Sequence, residues 1–140
     1  MFNQDYIMRQ VQQMTQVLSR ILEQVIKKDK SQTAAEIVSY TNEQLKESLG
    51  FNLEEFSDTL EKKGLNHFIK ERNFNNEHLN IFADVLYELA ETYFKDSNKI
   101  DEGLKLYSQS LHIYEFIEES ENIYSIDRNL KIIKIKGLLK

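Results

Sequence analysis

The sequence predicts an all-α fold of five to seven helices packed as antiparallel hairpins, and three observations support this prediction. Proline is absent from all 140 residues, whereas average usage of about 5% would give roughly seven. Apolar residues recur at three- and four-residue steps over most of the chain, which is the period of an amphipathic helix. The polar breaks between these segments are short, and no alternating strand pattern of useful length appears. At this length we expect residues 1–140 to form one domain.

The first helix is predicted from a seam of apolar residues that alternate four- and three-residue steps over nearly three heptads. This spacing is typical of a helix that packs almost parallel to a partner. The cationic stretch 27–30 suits the end of this helix, where the macrodipole is negative. The seam consists of Ile7, Val11, Met14, Leu18, Ile21 and Val25.

Capping signals place the second helix. Thr33 and Glu36 have the spacing of a capping box, and Gly50 is a residue suited to end a helix. The buried positions expected on this helix are Ala34, Val38, Thr41, Leu45 and Leu49.

The middle of the chain is less regular. Asn52 and Glu55 form another capping box, which opens a short helix through Phe56 and Leu60 that ends near Gly64. Residues 65–69 suggest one or two further turns, and residues 73–76 read as a loop.

Residues 79–114 predict two helices in close contact. A polar turn at 96–98 separates two apolar stripes, and Gly103 and Ser110 lie seven residues apart on the second stripe. A glycine inside a helix costs about 1 kcal/mol relative to alanine, so we infer that Gly103 permits close backbone approach. The second helix has another apolar side, which implies two neighbours. The first stripe is Leu79, Phe82, Leu86, Leu89, Ala90 and Tyr93, and the additional side is Leu106, Ile113 and Ile117.

This block resembles a tetratricopeptide repeat. The family pattern has a large apolar residue, then leucine and a small residue, an aromatic residue, a polar turn, and small, aromatic and small residues in the second helix. The turn here is one residue longer than in the family, and glycine and serine stand where alanine is usual. The matching residues, in order, are Leu86, Leu89, Ala90, Tyr93, Gly103, Tyr107 and Ser110.

The resemblance implies a protein-binding or scaffold role rather than an enzymatic one. The clamp of lysine, asparagine and arginine with which some members hold a C-terminal carboxylate is missing here, so a basic or aromatic-rich protein or peptide partner is favoured. The ligand-facing positions that the resemblance implies are Asp84, Tyr87, Glu88, Glu91, Phe94 and Lys95.

A second resemblance spans nearly the whole chain. The opening at residues 5–9 (DYIMR), followed by a long helix and ending after such a hairpin, resembles a family of small bacterial helical proteins of unknown function. This resemblance implies no activity.

The sequence lacks the residue patterns of the common catalytic and metal sites, so we expect no catalytic, cofactor-binding or metal-binding residues. Cysteine is absent, which excludes disulfides and thiolate chemistry. The three histidines lack the glutamate at the preceding third position that di-iron bundle sites use. Those preceding residues are Gly64, Asn75 and Gln109. The rival hypothesis is a ligand-binding or enzymatic pocket lined by Tyr40, Tyr87, Tyr93, Tyr107 and Tyr114.

Charge is distributed unevenly. The net charge is −5, yet residues 128–140 contain five cations and no acid. We expect the acids at 115–121 to compensate this tail within the chain. An overall acidic chain is unsuited to nucleic acid or an anionic membrane. Without a signal-peptide pattern or an apolar segment near ~18 residues, the cytoplasm is the expected location.

The basic tail is also rich in apolar residues, so another surface is expected to cover it. One possibility is a homodimer formed through the tail and the seam of the first helix, because large exposed apolar patches are rare on monomers. The other is that the middle segment folds over the tail. The apolar residues of the tail are Ile126, Leu130, Ile132, Ile133, Ile135, Leu138 and Leu139.

Overall fold

A computed structural model describes residues 2–28, 31–96 and 99–140, although not the side chains of Phe2 and Asn3. These residues form seven helices and no strand, which confirms the all-α prediction. The helices are α1 (Phe2–Ile26), α2 (Ala34–Leu49), α3 (Leu53–Lys62), α4 (Leu65–Arg72), α5 (Asn76–Phe94), α6 (Ile100–Ser120) and α7 (Ile126–Leu138).

Helix ends follow the capping signals of the sequence. Thr33 and Asn52 each accept a hydrogen bond from the backbone N–H three residues further on, as N-cap residues do. Ser125 caps α7 in the same way. Gly50 ends α2 with φ +82°, a conformation that glycine adopts without strain. The predicted breaks at 27–30 and 96–98 include four residues outside the described part of the chain, namely Asp29, Lys30, Ser97 and Asn98.

Helices α5 and α6 form the antiparallel hairpin that the small residues predicted. The hydroxyl of Ser110 donates a hydrogen bond to the backbone oxygen of Ala83 at 2.9 Å. At the other end of the hairpin, a Cβ atom added to Gly103 would lie 3.0 Å from Phe94 Cδ1 and 3.3 Å from the oxygen of Ala90. Such distances are shorter than ordinary van der Waals contact, so Gly103 allows the close approach inferred from the sequence.

Replacing Gly103 with leucine should therefore overpack this contact. We expect the free energy of unfolding to fall by about 1–3 kcal/mol, measured by chemical denaturation. Ser108→Leu is the matched control, because it adds the same side chain to an exposed position of the same helix. Equal stability of the two variants would contradict the close contact.

Only part of the predicted seam of α1 is buried. Leu18, Ile21 and Val25 lie in the core against α2 and α5, whereas Ile7 is 56% exposed. The seam therefore packs within the chain over its C-terminal half. On α2, the expected burial of Ala34, Thr41 and Leu45 is confirmed. The inward position is however Ile37 rather than Val38, and both Val38 and Leu49 are only half-buried.

The irregular middle segment contributes a cluster of phenylalanines beneath α5. The ring of Phe82, on α5, lies between 4.9 and 6.1 Å from the ring centroids of the other four members. Most of these pairs meet edge to face, a favourable geometry for aromatic rings. Every member is at most 6% exposed. The members of this cluster are Phe51, Phe56, Phe68, Phe74 and Phe82.

The middle segment does not cover the outer side of the tail. Phe56 and Phe68 pack against Phe82, while Leu130 and Ile133 of α7 remain 61% and 59% exposed. The expectation that this segment folds over the tail is therefore wrong for that side of α7.

Candidate partner-binding surface

Helix α7 lies across the face of α5 that the sequence marked for partner binding. Its contacts with α5 advance in the same direction along both helices, from Asn80 to Asp84 to Glu91, so α7 runs parallel to α5. Helix α7 runs antiparallel to α6, and most of its backbone contacts are with α6. Ile132 and Ile135 are buried on its inner side.

Arg128 anchors the start of α7. Its side chain is only 7% exposed, and its guanidinium donates three hydrogen bonds. These reach Glu118 on α6 at 2.8 Å, Asn80 on α5 at 3.2 Å and the backbone oxygen of Ile123 at 3.2 Å. A planar guanidinium can serve such separated acceptors, which an ammonium cannot. The interaction with Glu118 also confirms that acids of 115–121 compensate part of the basic tail within the chain.

Two lysines continue the contact along α5. Lys131 Nζ lies 3.1 Å from Asp84 Oδ1 and 5.2 Å from the ring centroid of Tyr87. Lys134 pairs with Glu91 and lies 5.5 Å from the same ring. Tyr87 is therefore covered by two cations on its face, an arrangement stabilised by the negative potential of the ring. An acidic and aromatic surface of α5 holds a basic amphipathic helix.

The protonation states of this contact favour ion pairing. Burial lowers the pKa of Lys131, but the nearby carboxylates of Asp84 and Asp127 outweigh burial and leave the pKa above the ordinary lysine value. Burial raises the pKa of Glu91, but hydrogen bonds from Lys134 and two tyrosines outweigh it, so this pKa lies below its ordinary value. The contribution of Glu91 to stability is therefore present at neutral pH and is lost as the pH falls through its lowered pKa.

Tyr114 supports the same contact from α6. It is fully buried, and its hydroxyl donates a hydrogen bond to Asp84. Burial and the neighbouring carboxylate of Asp84 both raise the pKa of Tyr114, so the tyrosine remains a neutral donor. Asp84 thus accepts hydrogen bonds from both α6 and α7.

The six residues predicted to face a ligand are not a free surface. Asp84 and Glu91 are paired with α7, and Tyr87 is buried beneath it. Phe94 is half-buried with its ring 5.4 Å from that of Tyr107, on the side of α6. Glu88 is half-buried and Lys95 is exposed.

The five tyrosines considered for a ligand pocket occupy different surroundings. Tyr107 and Tyr114 are core residues, and Tyr87 lies under α7. Tyr40 is 37% exposed, and its hydroxyl donates to Gln24 of α1 at 2.5 Å. Tyr93 is half-buried beside a groove bordered by α2. The grooves beside Tyr40 and Tyr93 each contain no other member of the five.

Sequence reasoning missed two polar residues that hold helices together. Arg128 was counted only as one cation of the tail, although it is the only arginine in residues 128–140. His78 is fully buried, with Nε2 3.0 Å from the backbone oxygen of Val11 on α1 and Nδ1 accepting the backbone N–H of Asn75. The sequence signal that could have identified His78 is its position, three residues after the N-cap Asn75.

No group of three or more histidine, aspartate or glutamate side chains within residues 2–28, 31–96 and 99–140 could hold a metal ion. None of the helices found in those residues combines the length and apolar character needed to cross a membrane. Comparison with protein-family models, with curated proteins and with solved structures finds no match to this chain.

Proposed function

We propose that this protein is a non-enzymatic protein-interaction module of the cytoplasm that binds a basic amphipathic helix of a partner on the acidic and aromatic face of α5. The observation that supports this proposal is that a basic helix of the chain itself, α7, already lies on this face. It does so through Lys131 with Asp84 and Lys134 with Glu91, and both cations lie over Tyr87. A partner helix therefore needs the same properties as α7, namely lysines that pair with the acids of α5 and an apolar inner side.

The resemblance of residues 79–114 to a tetratricopeptide repeat supports the same surface, because the implied ligand-facing positions include Asp84, Tyr87 and Glu91. The proposed partner displaces α7 from this face rather than binding in an empty groove. Helix α7 buries only Arg128, Ile132 and Ile135, and an element with few buried contacts opens locally more readily than a core does. Because the face is free only in the fraction of molecules with α7 released, the apparent affinity for a partner is reduced by that fraction.

If the partner displaces α7, weakening the inner contacts of α7 should strengthen partner binding. The probe is a labelled peptide of residues 123–140 in which Ile126, Leu130 and Ile133 are replaced by glutamine, so that the exposed side of its helix is polar. Binding to the full chain is measured by fluorescence anisotropy. We expect about tenfold tighter binding when the chain carries Lys131→Ala and Lys134→Ala, because a docking loss of about 1.4 kcal/mol corresponds to that factor.

The matched control is the full chain with Lys62→Ala and Lys63→Ala, which changes the net charge equally at exposed positions of α3 and its end. Simple attraction of a basic peptide to a more acidic protein would strengthen binding equally in both double variants. That result, or no binding to either, would contradict the proposed function.

A further inference from the structure

The outer side of α7 exposes an unusual amount of apolar surface. Twelve large apolar side chains are exposed in the described part of the chain, and six of them lie between residues 123 and 139. Isolated exposed apolar residues are normal on a protein surface, but a contiguous set marks an interaction site. The six are Ile123, Tyr124, Ile126, Leu130, Ile133 and Leu139.

Four residues of α7 form a continuous strip, which we call the outer stripe. Ile126, Leu130, Ile133 and Gly137 follow steps of four, three and four residues, so they share one side of the helix. The three large members are 67%, 61% and 59% exposed, whereas Ile135 on the opposite side is fully buried. Helix α7 cannot rotate to bury the outer stripe without removing its inner side from the core.

We propose that the outer stripe binds the outer stripe of a second copy of this chain, with the two α7 helices antiparallel about a twofold axis. In this arrangement Leu130 of each copy lies opposite Ile133 of the other, and Ile126 lies opposite Gly137. The stripe is therefore complementary to itself, as a twofold interface requires.

Gly137 provides an independent argument for this pairing. A Cβ atom added there would meet nothing within 4 Å among the described residues, so none of their contacts requires a glycine at this position. A glycine inside a helix nevertheless costs up to about 1 kcal/mol relative to alanine. The missing side chain leaves space on the outer stripe that an isoleucine from another copy can fill.

Charge favours the antiparallel direction. Asp127 and Lys134 are seven residues apart and flank the same edge of the outer stripe. Their side chains are 73% and 48% exposed. Antiparallel helices bring Asp127 of each copy towards Lys134 of the other, whereas parallel helices would place these edges on opposite sides of the interface, where the two residues cannot pair. The cations at the end of one α7 also approach the acidic segment that precedes the other.

The size of the surface suits a reversible dimer. If Ile123, Tyr124 and the three large members of the outer stripe each bury roughly 100 Å², the two copies together bury about 1,000 Å², near the lower limit of specific interfaces. Polar residues at the rim add to this area. We therefore expect a dissociation constant in the micromolar range.

Sedimentation velocity of the full chain tests this proposal. The expected mass at tens of micromolar is twice the 16.6 kDa of the chain. Leu130→Glu should convert the protein to monomer while its circular dichroism remains unchanged, because this side chain is exposed within each copy. Ile26→Glu is the matched control, since Ile26 is also exposed, at 54%, but lies at the end of α1; it should leave the dimer intact.

Gly137→Leu distinguishes the proposed pairing from general apolar association. This variant makes the outer stripe more apolar, yet it fills the space proposed for Ile126 and should also give monomer. Because the chain has no cysteine, a mixture of Leu130→Cys and Ile133→Cys proteins should form the mixed disulfide on oxidation in preference to either symmetric one. A wild-type monomer at hundreds of micromolar, a dimer that persists in Leu130→Glu, or stronger association of Gly137→Leu would each overturn the proposal.

Discussion

Replacement of Phe82 with alanine is expected to lower the free energy of unfolding by about 3–5 kcal/mol. Phe82 is fully buried, and its ring contacts the four other rings of the phenylalanine cluster. Truncation leaves a cavity. The other four rings are fixed by α3, α4 and the neighbouring loops, so they cannot all move to fill it. The loss is large compared with a typical total stability of about 5–15 kcal/mol.

Urea denaturation followed by far-ultraviolet circular dichroism measures this effect. Ile26→Ala provides the control, because Ile26 is 54% exposed and its truncation should change stability by less than about 0.5 kcal/mol. A loss below about 1 kcal/mol in Phe82→Ala would show that the cluster is not part of the core.

Replacement of Arg128 with alanine is expected to lower the free energy of unfolding by about 2–4 kcal/mol. The variant removes the donor of three hydrogen bonds and leaves the half-buried Asn80 and the backbone oxygen of Ile123 without this partner. Glu118 retains some access to water, so its share of the loss is smaller than that of a fully buried carboxylate. Arg128→Lys should recover only part of the stability, since one ammonium cannot reach all three acceptors.

Lys136→Ala is the control for Arg128. Its ion pair with Glu115 spans 3.5 Å between two exposed side chains, and such pairs contribute at most about 1 kcal/mol. Hydrogen exchange should also show faster exchange in α7 of Arg128→Ala, with α1 and α2 less affected. Equal stability of Arg128→Ala and Lys136→Ala would mean that Arg128 does not anchor α7.

The helices could be predicted from the sequence because their signals are local. The capping signals at Thr33 and Asn52 and the small residues of the α5–α6 hairpin depend on neighbours close in the chain. Phe51 and Phe74 could not be assigned to the core in this way. Each stands alone in a loop between helices, where no periodic pattern marks the buried direction, yet both are at most 6% exposed.

The candidate surface was predicted only in part for a related reason. The resemblance placed Asp84, Tyr87 and Glu91 on one side of α5, and the structure does group them. Helix α7 covers that side of α5, and its packing could not be predicted. A pattern of alternating lysines and isoleucines does not determine which side of α7 faces the core. The burial of Arg128 and the exposure of Leu130 follow from tertiary packing rather than from spacing.

The position of tyrosines around α7 gives the protein an intrinsic optical probe. The chain has seven tyrosines and no tryptophan, so its near-ultraviolet spectrum is dominated by tyrosine. Tyr87, Tyr107 and Tyr114 lie on or beneath the surface that α7 covers, and burial raises the pKa of each phenol. Release of α7 should therefore allow phenolate to form at lower pH, with absorbance near 295 nm, so that an alkaline titration without any label records how firmly the last helix is bound.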